Sequence, residues 1–194
     1  AEDDFGGTDS ISDDIVIANT LPVVDSVTFV ETSIYTNDTI VAEVALSDAD
    51  AFQSSILQAT YSWFVIDFQT GLTTEVQSGS DNTLSGIVHF EKNDEVYVVV
   101  TPNDGWENGQ PVTSADSISI LNSPPVISDV NITPNPASAG AQDLICEVTA
   151  IDDDAEDSVL YTYVWTDPDG VEHQTNTDVF ETFDAYLFSN TSEG

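Results

Sequence analysis

One pattern constrains this chain more than any other, and it occurs twice. The stretch Glu43-Val44-Ala45-Leu46-Ser47-Asp48-Ala49-Asp50 is matched 104 residues later by Glu147-Val148-Thr149-Ala150-Ile151-Asp152-Asp153-Asp154. Each is an alternating apolar run, the period of a β-strand with one face on a core, and each ends in a cluster of carboxylates. A Pro-containing linker stands before each copy, Asn19-Thr20-Leu21-Pro22-Val23-Val24 and Asn122-Ser123-Pro124-Pro125-Val126-Ile127. A tryptophan-bearing run follows each, Tyr61-Ser62-Trp63 and Tyr163-Val164-Trp165. Self-similarity at this spacing means a tandem array of units of about a hundred residues.

The charge balance then limits what such an array can do. Thirty-six acids face one base, Lys92, for a formal net charge of −35. That excludes a basic patch for nucleic-acid phosphates or for an anionic membrane face. Salt bridges within the chain cannot relieve the repulsion, so relief has to come from solvent, salt or bound cations. Acidity of this kind with 40% apolar residues is not the composition of a disordered chain, because the apolar residues fall in alternating runs. An adaptation to high salt would leave the same signature.

Cys146 is the only cysteine, so no intrachain disulfide forms, and its place in the alternation Leu144, Cys146, Val148, Ala150 makes it a small core residue. No run approaches the roughly 18 apolar residues of a membrane span. The triplets beginning at Asn37, Asn131 and Asn190 are N-glycosylation acceptors in a secretory setting.

The organisation follows from the repeat. Residues 1–18 match the end of the first full unit, since Thr8-Asp9-Ser10-Ile11-Ser12-Asp13-Asp14-Ile15-Val16-Ile17 parallels Ser114-Ala115-Asp116-Ser117-Ile118-Ser119-Ile120. They are expected to be the last strand of a preceding repeat. A complete repeat spans 19–121, with strands expected near 23–30, 39–47, 57–67, 72–77, 83–90, 95–101 and 114–121. The second repeat, 122–194, is expected to stop before its last two strands. The predicted fold class is all-β: tandem immunoglobulin-like antiparallel β-sandwiches, with Trp63 and Trp165 in the cores. A sandwich without two strands exposes core and an open edge, so either these residues are part of a longer chain or neighbouring subunits complete one another by strand addition.

The residues that carry a family likeness are Val27-Thr28-Phe29, Val44 through Asp50, Tyr61 through Val65, Thr83-Leu84-Ser85-Gly86, Lys92 through Gly105 and Asn122-Ser123-Pro124-Pro125. This series resembles the tandem immunoglobulin-like repeats, of the PKD and cadherin-like kind, of very large secreted or surface proteins of prokaryotes. The resemblance covers nearly the whole chain and implies an extracellular or cell-surface location. It leaves function open, because such repeats serve as stalks, adhesin shafts, filament subunits and spacers in exoenzymes. The second repeat departs from the pattern in lacking the Asn-Asp-Gly segment.

In an immunoglobulin-like sandwich the loops after the second and sixth strands meet at the pole where the chain enters. Asp48, Asp50, Asn103, Asp104 and Asn19 are therefore expected to converge at the first junction, and Asp152, Asp153, Asp154, Asp157 and Asn122 at the second. Oxygen ligands of this number and charge suit calcium. A bound ion would stiffen the hinge between units, whereas a solvated acidic pole would not. The Asp167-Pro168-Asp169-Gly170 run reads as a hairpin turn, as does Asp67-Phe68-Gln69-Thr70-Gly71. Two histidines in non-equivalent positions, with no nucleophile motif and no phosphate loop, point away from an enzyme. Trp106, in the loop Asp104-Gly105-Trp106-Glu107-Asn108-Gly109, is the candidate ligand-binding aromatic, able to stack on a glycan or on a neighbouring unit. The expected role is a structural segment of an extracellular rod, filament or adhesin stalk. The alternative is a carbohydrate-binding or adhesive spacer of a secreted enzyme or adhesin.

Overall fold

The structure, a computed structural model, describes residues 4–6, 8, 10–50, 56–137, 144–166, 169–180 and 185–188, with backbone alone for 173–180 and 185–188. It is all-β. The first unit contains β1 (Val23–Phe29), β2 (Ile34–Tyr35), β3 (Thr39–Ser47), β4 (Gln58–Ile66), β5 (Thr73–Gly79), β6 (Thr83–Ser85), a single helical turn α1 (Gly86–His89), β7 (Glu95–Asn103), β8 (Val112–Thr113) and β9 (Ile118–Leu121). Two sheets form, in the orders β1-β3-β6 and β2-β9-β7-β4-β5, with β8 on β7. All pairings are antiparallel except β2 with β9.

Alternation in the sequence decides which side of each strand is dry. Along β7, Val96, Val98 and Val100 are wholly buried, as are Ile40 on β3 and Leu84 on β6. These residues come from both sheets and enclose Trp63, itself fully buried, so the two layers share one core. Phe29 meets the Trp63 ring at a centroid distance of 6.2 Å. The indole N–H donates to the carbonyl of Asp81 at 3.3 Å, which satisfies the one polar atom that this burial strands.

The expected strand over 83–90 is shorter in the structure, ending at Ser85. The apolar residues Ile87 and Val88 that extended the alternation lie on the outside of α1, 73% exposed each. Gly86 makes the turn possible: a Cβ there would stand 2.9 Å from the backbone nitrogen of Asn37 and 2.5 Å from the Phe90 ring. The Asp67–Gly71 hairpin turn forms as expected, with Gly71 at φ +69° and the amide of Thr70 donating to Asp67 Oδ1 at 2.7 Å. Residues 10–22 form no regular element.

The second unit contains β10 (Val126–Thr133), β11 (Leu144–Ile151), β12 (Leu160–Thr166), β13 (Glu172–Phe180) and β14 (Ala185–Phe188), in sheets ordered β10-β11-β14 and β12-β13. Its register copies the first. Val24 faces Leu46 and Val27 faces Val44, with a bulge between Val24 and Ser26. Ile127 faces Ala150 and Val130 faces Val148, with the bulge between Ile127 and Asp129. Burial does not follow register. Val24 and Val27 are each 7% exposed, while Ile127 and Val130 are 61% and 55% exposed. In the first unit β1 packs against β7, and among the described residues the second unit has no counterpart of β7. Residues 189–194 and the Asp167-Pro168 half of the second turn lie outside the described residues.

This asymmetry has a measurable consequence. Trp63→Ala empties a closed core and should cost about 3–5 kcal/mol. Trp165→Ala, at a half-buried position, should cost clearly less. Urea unfolding followed by circular dichroism checks the ranking, and equal losses would contradict it.

Candidate functional site

The acids that follow β3 and β11 sit where the linkers arrive, and both linkers are held in the same way. At the first pole, the backbone N–H of Thr20 donates to Asp50 Oδ2 at 2.8 Å, and the N–H of Asp50 donates to Asp48 Oδ1 at 2.7 Å. At the second, the N–H of Ser123 donates to Asp154 Oδ2 at 2.6 Å, and the N–H of Asp154 donates to Asp152 Oδ1 at 2.9 Å. In both, the first Asp folds its own loop through an Asx turn, and the turn aims the second Asp at the linker amide. An aspartate is needed because its short side chain reaches an amide two residues on.

The loop after β7 completes the first pole. Asp104 is fully buried, and its Oδ1 accepts the N–H groups of Trp106 and Glu107, each at 2.7 Å. Its Oδ2 accepts the side-chain amide of Asn19 at 2.8 Å. These donors, the Glu107 N–H foremost and then Asn19, outweigh desolvation and hold the Asp104 carboxyl below the ordinary aspartate range. Asn103 turns away to bond Asn108 and the Gly105 amide, at 2.7 Å each. Gly109 closes the loop, its N–H donating to the carbonyl of Pro102 at 2.9 Å. A Cβ on Gly109 would lie 1.9 Å from the carbonyl oxygen of Pro22. Only glycine lets the loop touch the linker.

The second pole differs in being shared between units. Thr36, in the turn after β2, donates its hydroxyl to Asp154 Oδ1 at 2.5 Å. The Ser123 hydroxyl lies 3.4 Å from the carbonyl of Thr36, to which it donates. Asp154 is 3% exposed, so its carboxylate is anchored by one donor from the preceding unit and one from the linker. Lys92, the chain's one base, pairs with Asp157, and its ammonium also lies 3.5 Å from Asn122 Oδ1. The Lys92 and Asp157 side chains keep 25% and 29% exposure. A cleft of about 650 Å³ opens beside this contact, with Phe68, Lys92, Asp94, Asp154 and Glu156 among its walls.

The structure thus brings the sequence-predicted residues together unequally. At the first pole Asn19 bonds Asp104 while its neighbour Thr20 bonds Asp50, itself bonded to Asp48, and these acids form no group of ligand spacing among the described residues; the side chain of Asn103 bonds within its own loop. Among the described residues, Asp152, Asp154 and Asp157 are the one group of three acidic, His or Cys side chains whose ligand atoms lie within 4.8 Å of one another. Asp153 is exposed and outside that group. Three carboxylate oxygens at this spacing fit a hard divalent ion such as calcium in donor type. Both oxygens of Asp154 already accept hydrogen bonds, and the Lys92 ammonium occupies Asp157. At the first pole Asp48 Oδ2 is buried and accepts no hydrogen bond.

Trp106 is 75% exposed, its ring outside the core. Asn37 is exposed in a turn at φ +73°, and Asn131 is exposed on β10 with its amide 3.3 Å from Glu147. Asn190 lies outside the described residues. Cys146 is buried, which pushes its thiol pKa up. Sequence reasoning missed Thr36, Ser123, Gly109 and the placement of Lys92. The signal available for Ser123 was its alignment with Thr20, each following a linker Asn. No protein-family model matches the chain, and no curated protein matches it.

Two predictions follow from the first pole. Gly109→Ala should push the linker away from its loop and lower the melting temperature by several degrees, more than Gly170→Ala, where a Cβ meets nothing and the cost is that of the positive φ of +81° alone. Asp104 has a folded pKa below its unfolded value of about 3.9. Its contribution is therefore complete above that value and is lost as pH falls towards the lowered one. Asp104→Asn should be less stable than wild type at pH 7, with the difference shrinking below about pH 4. Thermal unfolding from pH 7 down to pH 3 checks the sign.

Proposed function

We propose that this chain is a structural segment of a tandem array, a stretch of an extracellular rod, filament or adhesin stalk, without catalytic activity. One observation carries the reading: Asp154 accepts hydrogen bonds both from the preceding unit, through Thr36, and from the linker, through Ser123. A junction built around a buried carboxylate with partners on two units resists bending. A spacer meant to flex would solvate its linker. The recurrence of register, bulge and linker clamp about 103 residues apart supports repeats of one kind. The sheet orders, with a short parallel β2–β9 pairing, support an immunoglobulin-like arrangement of them.

Calcium belongs to this proposal at the second junction, on Asp152, Asp154 and Asp157, where it would compete with Lys92 for Asp157. The linker amides do part of the work assigned to metal at the first. A site held at a hundred times its dissociation constant adds about 2.7 kcal/mol, several degrees in melting temperature. Unfolding in millimolar calcium against chelator, at fixed ionic strength, should show that rise, and magnesium should not reproduce it. An identical curve in both would remove metal and leave the hydrogen-bonded clamp alone.

Stiffness itself is read by small-angle scattering. Wild type should fit one inter-unit arrangement, and Thr36→Ala combined with Lys92→Ala should need a spread of them. A wild type already needing that spread would remove the rod reading. The exposed Trp106 favours a second reading, a glycan-contacting spacer. Trp106→Ala abolishes glycan binding in that case and leaves scattering unchanged.

A further inference from the structure

The two linker clamps are alike, and the loops that follow them are not. Each pole offers a carboxylate, Asp50 or Asp154, to the arriving linker, and each shapes it with an aspartate two residues earlier, Asp48 or Asp152. A hydroxyl such as that of Thr36 finds the same kind of acceptor at either. Beyond the clamp the charges diverge. From Ala51 to Thr60 the first unit has no acid, whereas the corresponding stretch of the second, Ala155 to Thr162, carries Glu156 and Asp157. Asp157 stands three residues after Asp154 and six before Tyr163; three residues after Asp50 stands Gln53, and six before Tyr61 stands Ser55. Counted from either end, the first unit has an uncharged residue at that position.

Asp157 is the acid that meets Lys92. The lysine stands in the short loop between α1 and β7, which is fixed from within the first unit. Asp94, 9% exposed, accepts the N–H groups of Glu91 and Phe68 at 3.0 Å each. The N–H of Asn93, a residue at φ +69°, donates to the carbonyl of Ile120 at 2.8 Å. The base is thus presented at a set place on a face that otherwise carries acids, Asp67, Glu91 and Asp94 among them. An acidic face and an acidic pole repel unless a cation of one meets a carboxylate of the other, and this chain has one base to use. A ligand oxygen of Asp157 lies within 4.8 Å of those of Asp152 and Asp154, so the ammonium arrives where three carboxylates converge.

We propose that Lys92 and Asp157 are the selecting pair of this junction: through them the end of the first unit accepts the second unit's pole and rejects a pole of the first unit's kind. The inference rests on the repeat and rod reading above. The hydrogen-bonded clamp, common to both poles, holds the linker, and the ion pair decides which unit is held. Selection of this kind comes as much from what the wrong partner leaves unpaired as from what the right one pairs. A pole with an uncharged residue at the position of Asp157 takes away the partner of Lys92 while keeping the repulsion between acidic surfaces. Units of one array, and units of neighbouring copies, are in this way kept from exchanging places.

The test is a double-mutant cycle on the whole chain, in chelator so that no divalent ion takes Asp157, with opening of the junction read from amide exchange at Ser123. Lys92→Ala should speed that exchange roughly two- to fivefold, as befits a partly exposed ion pair, and so should Asp157→Ser. The two together should speed it no further. Lys92→Asp should open the junction more than Lys92→Ala, and Lys92→Asp combined with Asp157→Lys should bring exchange back to within about twofold of wild type. These differences should narrow in about 1 M NaCl, which a purely steric role would not produce, and the β7 amides should keep their rates throughout. Wild-type exchange in the single variants, losses that simply add, or a reversed pair that restores nothing would each overturn the proposal. Scattering on the wild type reads stiffness independently, so a flexible wild type refutes the rod and an additive cycle refutes the pair.

Discussion

An aspartate oxygen accepting a backbone N–H is the interaction on which this structure depends. With 36 acids and one base, the chain has almost no cations of its own to place beside its carboxylates. Its loops supply amides instead. Asp38 accepts from Tyr35, Asp67 from Thr70, Asp81 from Thr83, and Asp94 from both Phe68 and Glu91. These carboxylate acceptors are all aspartates, and apart from Phe68, 26 residues from Asp94, each takes an amide two or three residues away, which the shorter side chain reaches without disturbing the turn. Such bonds are charge-assisted, and unlike contacts between exposed ion pairs they do not require two long side chains to be immobilised.

The two linkers extend this local habit to long range. Asp48 and Asp152 shape their own loops, and that shaping makes Asp50 and Asp154 available to amides of the arriving chain. At the second junction the same carboxylate takes a further donor from the unit before it, and the sole lysine sits beside it. A composition that forbids a general network of salt bridges concentrates its one cation where two acidic units meet. Fold and junction are in this way answers to one electrostatic constraint.

Much of the fold was legible in the sequence because it rests on alternation. The strands through Val44, Trp63 and Val98 announce their buried faces at every second residue, and the acid clusters announce the pole by recurring after equivalent strands. Ile87 and Val88 misled for the same reason: they continue the period of β6 while Gly86 turns the backbone into α1. The short strands β2 and β8, two residues each, are too brief to show a period. The junction was half legible. The carboxylates were evident, but Thr36 lies 118 residues from Asp154, and no local pattern distinguishes its hydroxyl from any other. Only the docking of one unit on the next selects it. Gly109 is legible only once Pro22 is known to lie against it.

Amide hydrogen exchange at Thr20 and Ser123 tests the central claim most directly, because both N–H groups belong to linkers and both are held by a single carboxylate. If the clamps define the junctions, these two amides exchange slowly, and Asp50→Ala and Asp154→Ala each release the amide they hold while the β7 amides keep their protection. Exchange of Thr20 and Ser123 in the wild-type protein at the rate of an open linker would contradict the account.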